Sequence, residues 1–380
     1  MKGRSFSLMI LVVAALIYGS VSEAVYAQCV TPPTGMTNWW PGDSNTFDII
    51  GGQHGSLQGG ATFDTGKVDR AFSLDGSNDF VLVPNNPTAA FNFSGSFSID
   101  AWVFLKATPP EFAPIVSKWN DIPFGNNNRS YFLAIQPFNS GPLRVRFDVS
   151  ADGQFLGGHS LAIVSNDIVP LNTWTHIAGV FNGTTHSLSV YVNGHPSVFA
   201  TGGPANVSAP FVNNEPVLIG AGDLGSNVRD FFNGLIDEVE LFNRPLTQAE
   251  IQSIVSAGSS GKTIPISINI KVGGVPNSIN LGSKGNVPVA VLSTETFDAS
   301  TLILSSVNFA GAPIQARNNG TLMGEFTDVN GDGGPDLILH FDTQSLNLSK
   351  TSTQATLTGM TTNGRCVSGS DSVNIVPKGH

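Results

Sequence analysis

The stretch 171–194, LNTWTHIAGVFNGTTHSLSVYVNG, leaves a chain few folds to choose from. Trp174, His176, Ala178 and Val180 fall on one side of an extended backbone, and Thr175, Ile177, Gly179 and Phe181 on the other. After Asn182-Gly183, Leu188, Val190 and Val192 alternate with Ser189, Tyr191 and Asn193, and a second Asn-Gly follows at 193–194. Period two is the repeat of a strand that packs one face on a core. Asn-Gly suits a tight hairpin turn because both residues tolerate positive φ. The alternation recurs at 97–104, where Phe97, Ile99, Ala101 and Val103 oppose Ser98, Asp100, Trp102 and Phe104. Many short strands joined by such turns predict an all-β sandwich or jelly roll.

Charged residues make up only 12% of the chain, against 42 glycines, which fits a turn-rich extracellular β protein. The formal net charge of −10 argues against nucleic acid or an anionic membrane as partner. Lys2 and Arg4 precede an apolar run from Phe6 to Tyr18, and Val25-Tyr26-Ala27 supplies small residues for cleavage. This pattern predicts a signal peptide cut after Ala27, and hence secretion. Gln28 is too large to precede a lipidated cysteine, and no later segment is long and apolar enough to span a bilayer. The two cysteines, Cys29 and Cys366, lie at opposite ends of the exported chain. In an oxidising compartment they form a disulfide or stay two independent thiols, and spacing alone does not decide.

The organisation reads as a signal peptide at 1–27, an N-terminal segment at 28–36, a first domain at 37–258, a linker at 259–262 and a smaller, β-sandwich-like second domain at 263–377. A helix is predicted at 247–257, with Thr247 and Glu250 as a capping box, Ile251, Ile254 and Val255 as its apolar stripe, and Gly258 as its stop. The small polar run SAGSSGK at 256–262 reads as flexible. In the second domain ISINIKV, VPVAVLS, LILSSVNFAG, DLILHF, ATLTGMT and DSVNIVP are strand candidates.

Four segments carry a family resemblance in their order and spacing. They are Trp39-Trp40-Pro41-Gly42-Asp43, Ala71-Phe72-Ser73-Leu74-Asp75-Gly76 with Asp79, Phe97 to Val103, and Phe232-Asn233-Gly234-Leu235-Ile236-Asp237-Glu238-Val239-Glu240-Leu241-Phe242. Together they resemble the laminin-G-like, concanavalin A-like jelly roll of secreted bacterial proteins. The tail, through PNSINLGSKGNVPVAVLST, FTDVNGDGGPDLILHF and DSVNIVP, resembles a recurrent C-terminal module with no named activity. The wider superfamily often binds calcium, so the resemblance implies a site joining Asp43 to Asp237, or a rim site at Asp223. Asp237, in phase with Leu235, Val239 and Leu241, is expected to lean toward the apolar side, where a carboxylate needs a partner or a metal. Alternatively these aspartates cap turns.

The sharpest chemical motif is Asp328-Val329-Asn330-Gly331-Asp332-Gly333-Gly334-Pro335-Asp336. Oxygen-bearing side chains stand at positions 1, 3, 5 and 9 as in the first part of an EF-hand-type loop, and Gly334 offers a carbonyl at position 7. Leu339 replaces the glutamate expected at position 12, and a strand follows rather than a helix. Calcium is the expected cofactor.

The concanavalin A-like class also includes glycoside hydrolases, which need two carboxylates across the scissile bond. Asp237-Glu238-Val239-Glu240 is the nearest pattern, but its spacing differs from Glu-x-Asp-x-x-Glu, and Asp100 stands alone. No catalytic residues are therefore expected. The leading expectation is a secreted, calcium-stabilised binding or adhesion protein whose partner is a glycan or an extracellular protein. Trp119, Phe124 and Tyr131, in or beside the expected loops 111–129 and 154–166, are candidates to stack on a sugar. A glycoside hydrolase or polysaccharide lyase is one alternative, and a structural envelope or matrix component is another.

Overall fold

The computed structural model describes residues 29–120, 128–139, 141–154, 159–202, 206–222, 228–274 and 276–376. Strands dominate it. Two eight-stranded antiparallel sheets form a sandwich between Met36 and Phe242. The first sheet runs His195–Pro196, Ser187–Val192, Thr175–Asn182, Phe97–Leu105, Asn233–Phe242, Arg70–Asp75 and Thr62–Thr65, with Met36–Trp40 also paired to Asn233–Phe242. The second runs Ala200–Gly202, Ser160–Ile168, Leu143–Gly153, Arg129–Pro137, Ala113–Lys118, Val217–Ile219, Phe80–Val83 and Ser56–Gln58.

The alternating residues do what period two requires. Phe97, Ile99, Ala101 and Val103 enter the main core together with Ile177, Phe181, Val190 and Val192. Phe147 of the second sheet meets Phe97 of the first edge-on, with ring centroids 5.9 Å apart. Each fully buried side chain of this size contributes roughly 1.5–3 kcal/mol, so the interleaved aromatic layer is what holds the two sheets together.

The two Asn-Gly sites behave differently. Asn193 and Gly194 both have positive φ, 49° and 78°, and form the two-residue turn the sequence predicts. At Asn182-Gly183 the connection is longer, and the residue with positive φ is His186, at 52°. Here the Asn182 side chain accepts from the backbone N–H groups of Thr184 and Thr185. Gly183 is needed for space, because an added Cβ would stand 2.0 Å from the Ser208 carbonyl oxygen.

The helix spans Gln248–Ala257 with the full Thr247/Glu250 capping box, and it buries Ile251, Ile254 and Ala257. It covers Ala178, Val180 and Phe242 on the outward face of the first sheet. Beyond it lie a five-stranded, a four-stranded and a two-stranded sheet around a second core. Within LILSSVNFAG only Asn308–Phe309 is strand, and Leu304–Ser306 turns as 3-10 helix. Conversely Cys366–Ser372, poor in β-formers, pairs along its whole length with Gln354–Met360. Cys29 and Cys366 form a disulfide with Cα atoms 6.2 Å apart. Among the described residues no helix is long and apolar enough to cross a membrane.

Candidate functional site

The strand Leu143–Gly153 sends Val145, Phe147 and Val149 into the core, so Arg144, Arg146, Asp148 and Ser150 face outward. Its neighbour Arg129–Pro137 buries Tyr131, Leu133 and Ile135, so Phe132 and Ala134 face outward. Register then lays Ser117, Phe132, Asp148 and Ala162 in one row across four strands. On this face Phe132 packs edge-on against Phe112 at 5.5 Å and lies 5.9 Å from Trp119. These rings form a cluster separate from the main core.

Beside them Arg146 and Asp148 make a bidentate ion pair, with Nε–Oδ2 2.5 Å and Nη2–Oδ1 3.0 Å. Burial pushes the Asp148 carboxyl up, and the Arg146 guanidinium opposes this. The Arg146 guanidinium lies 5.9 Å from the Phe112 ring, and that of Arg129 lies 5.9 Å from the Trp119 ring. Phe112 is half-buried and the Arg146 side chain is 19% exposed, so these two are the open part of the cluster. Ring faces meet the C–H surface of a sugar, and a guanidinium–carboxylate pair offers donors and acceptors to hydroxyls.

Of the three residues expected to stack on a ligand, Trp119 belongs to this cluster. Tyr131 does not. It is fully buried, its hydroxyl donates to the Phe91 carbonyl at 3.3 Å, and alternation puts it on the core side, one residue from the outward Phe132. Phe124 lies outside the described residues. The expected loop 111–129 contains the strand Ala113–Lys118, and the expected loop 154–166 runs into the strand Ser160–Ile168. Phe112, Phe132, Arg146 and Asp148 escaped the sequence reading, although the alternation in LRVRFDVS was there to place the last two.

The carboxylates of the closing strand Asn233–Phe242 have a different setting. Glu238 sits at φ 52° in a bulge between positions 237 and 240. The extra residue shifts the phase. Asp237 therefore leaves the side of Val239 and Leu241 and faces outward with Glu238 and Glu240. All three are buried there. Lys262 Nζ lies 2.5 Å from Glu240 and 3.2 Å from Glu238, while Arg365 Nη1 lies 2.7 Å from Glu238 and 3.1 Å from Asp43. Both cations flank Trp39, at 5.3 Å and 5.7 Å from its ring. Asp100 pairs with His176 at 2.9 Å. The expected linker thus ends in a buried cation, and a residue of the second domain completes the cluster.

Asp237 Oδ2 accepts from the backbone N–H groups of Lys67 and Val68 at 2.7 and 2.9 Å, and Asp43 Oδ1 from that of Arg70 at 3.3 Å. The Arg365 guanidinium touches Asp43 and Glu238 and its charge reaches Asp237, so a cation of the protein already serves the place of the expected Asp43–Asp237 calcium site. Burial raises Asp43 to about 7 against the pull of Arg365, and burial also raises Asp237. Burial acts upward on Glu238 too, but Arg365 and Lys262 outweigh it and hold its carboxyl below the usual range. Asp223 lies outside the described residues.

In the tail loop, Asp328 accepts from the N–H groups of Gly331 and Gly333, Asn330 from that of Asp332, and Asp332 from that of Gly334. These three side chains lie on an exposed turn. Asp336 is turned inward and buried, with its oxygens on the N–H groups of Ser293 and Val329 at 2.9 Å each. Among the described residues no three His, Cys, Asp or Glu side chains are gathered so as to hold a metal ion. Two carboxylates, one amide oxygen and the Gly334 carbonyl are what this turn can offer calcium.

A family model described as the concanavalin A-like lectin/glucanases superfamily matches residues 75–252. No curated protein matches the chain. Among solved structures, domain 4 of an extracellular arabinanase from Geobacillus stearothermophilus, in complex with arabinotriose, is 16% identical; the match covers 59% of this chain and 98% of that one, with a TM-score of 0.39. The CBM40 of the Ruminococcus gnavus IT-sialidase, bound to sialyllactose, is 16% identical over 44% of this chain and 85% of that one, with a TM-score of 0.36. The binding domain of Paraclostridial Mosquitocidal Protein 1 is 10% identical over 87% and 86%, with a TM-score of 0.43. Residues 75–252 match a concanavalin A-like lectin/glucanase superfamily domain, a span that takes in most of the jelly-roll sandwich running from Met36 to Phe242 and reaches into the helix Gln248–Ala257 behind it.

Proposed function

We propose that this chain is an exported, non-catalytic glycan-binding protein whose ligand lies on the outward face of the second sheet. The observation that carries the reading is the Phe112–Phe132–Trp119 cluster beside the Arg146–Asp148 pair, outside the core of a lectin-class domain. Sites of this kind combine apolar rings with a few fixed polar groups. The carboxylates of the closing strand are buried and engaged by Lys262 and Arg365, which does not favour the two-carboxylate arrangement of a glycosidase. The second domain acts as a fixed support, joined by the disulfide and the ion cluster, and its turn at 328–334 takes calcium.

A polysaccharide and oligosaccharide array, run with the purified protein in calcium and in chelator, tests this reading. Binding to a defined glycan without new reducing ends or unsaturated products is the expected result. Cleavage products that track with the protein would replace it with the enzyme reading, and capture of proteins alone would replace the glycan.

A further inference from the structure

Lys118 ends the strand Ala113–Lys118, and its side chain is fully buried. Its ammonium group has two polar partners. Nζ donates to Asn85 Oδ1 at 3.0 Å and to the backbone carbonyl of Glu215. The Phe91 ring lies 5.4 Å away. Neither polar partner is a carboxylate, whereas Lys262 and Arg365 each touch two. A buried ammonium without a counter-ion in contact is costly, and losing a proton relieves the cost. Burial lowers this amine to about 8, with the more distant Glu215 carboxylate opposing.

A neutral lysine amine is a nucleophile. Burial closes Lys118 to external electrophiles, so reaction partners must come from the fold itself. The carbonyl carbon of the Asn85 side chain is one bond beyond the oxygen that Nζ already touches. We propose that Lys118 and Asn85 join after folding in an intramolecular isopeptide bond. The Nζ lone pair adds to Asn85 Cγ, the Cγ–Nδ2 bond breaks, and a proton from Nζ passes to Nδ2, which leaves as ammonia. No oxidant or cofactor is required. The Glu215 carboxylate, whose Oε1 accepts from Asn128 Nδ2 at 2.9 Å, is the negative charge whose field reaches Lys118.

The topology gives the bond a purpose. Val217–Ile219 pairs with Phe80–Val83 on one side and with Ala113–Lys118 on the other. A Lys118–Asn85 bond would tie the two flanking strands across the one between them, and would restrain the unfolded chain as a disulfide does.

Tryptic mapping of the folded, purified protein after denaturation and reduction tests the proposal. Trypsin does not cut after an acylated lysine. The expected product is peptide 71–106 joined to an uncut 107–129, one ammonia lighter than their sum. Lys118→Arg and Asn85→Ala should each abolish it. Free 107–118 and unmodified 71–106 in full yield from the wild type would overturn the proposal. Should a variant fail to fold, the wild-type map still decides, because it reads the bond directly.

Discussion

Replacing Arg365 with methionine probes how the second domain is held. The guanidinium is almost wholly buried and contacts Glu238 at 2.7 Å and Asp43 at 3.1 Å while lying over Trp39. Methionine keeps much of the packing volume and removes the charge. Glu238 is then left with Lys262 at 3.2 Å, and Lys262 already serves Glu240. Deleting one partner of a buried ion pair costs roughly 3–5 kcal/mol, whereas replacing both is often nearly neutral. Arg365→Met should therefore lose about 3–5 kcal/mol in urea unfolding of the oxidised protein followed by tryptophan fluorescence. Adding Glu238→Gln should restore at least half of the loss, since the orphaned charge goes with it. A loss below about 1 kcal/mol, or a double variant no better than the single, would refute the reasoning.

Other outcomes follow from the same geometry. Asp43 is raised to about 7, so the folded state keeps a proton that the unfolded chain releases; the stability tied to this proton is present below about 4 and lost as pH rises through about 7, and Asp43→Asn should flatten that decline in a melting-temperature series. Glu238 is depressed and runs the other way, so its contribution disappears as pH falls below the usual carboxylate range. Calcium should raise the melting temperature of the tail and Asp332→Ala should abolish the rise; equal melting in calcium and chelator would remove calcium from the account. Mass spectrometry of the exported protein should find its N-terminus at Gln28, and retention of Met1 would contradict export by signal cleavage.

The sandwich was legible because alternation over 97–104 and 174–192 is local and its consequence is fixed by strand geometry. The helix was legible for the same reason, since Thr247 and Glu250 are three residues apart. What escaped depends on contacts distant in sequence. Lys262 reads as the end of a flexible run, and only the fold reveals Glu238 and Glu240 around it. The bulge at Glu238 reverses the phase of Asp237 without any glycine or proline to announce it. Tyr131 and Phe132 are equally aromatic, and register alone sends one to the core and the other outward. The Asp328 loop was visible as a motif, but the inward turn of Asp336 depends on Ser293, far upstream.

The proposed glycan sits against the open end of the Phe112–Phe132–Trp119 cluster. The most direct measurement is a calorimetric titration of an array-selected glycan into the wild type, Phe112→Ala and Tyr131→Phe. Losing one ring contact at roughly 1 kcal/mol weakens binding about fivefold. Phe112→Ala should show that loss with its melting curve intact, while Tyr131→Phe, altered only inside the core, should bind as the wild type does. Equal affinity for the wild type and Phe112→Ala would place the ligand elsewhere, and contradict the site.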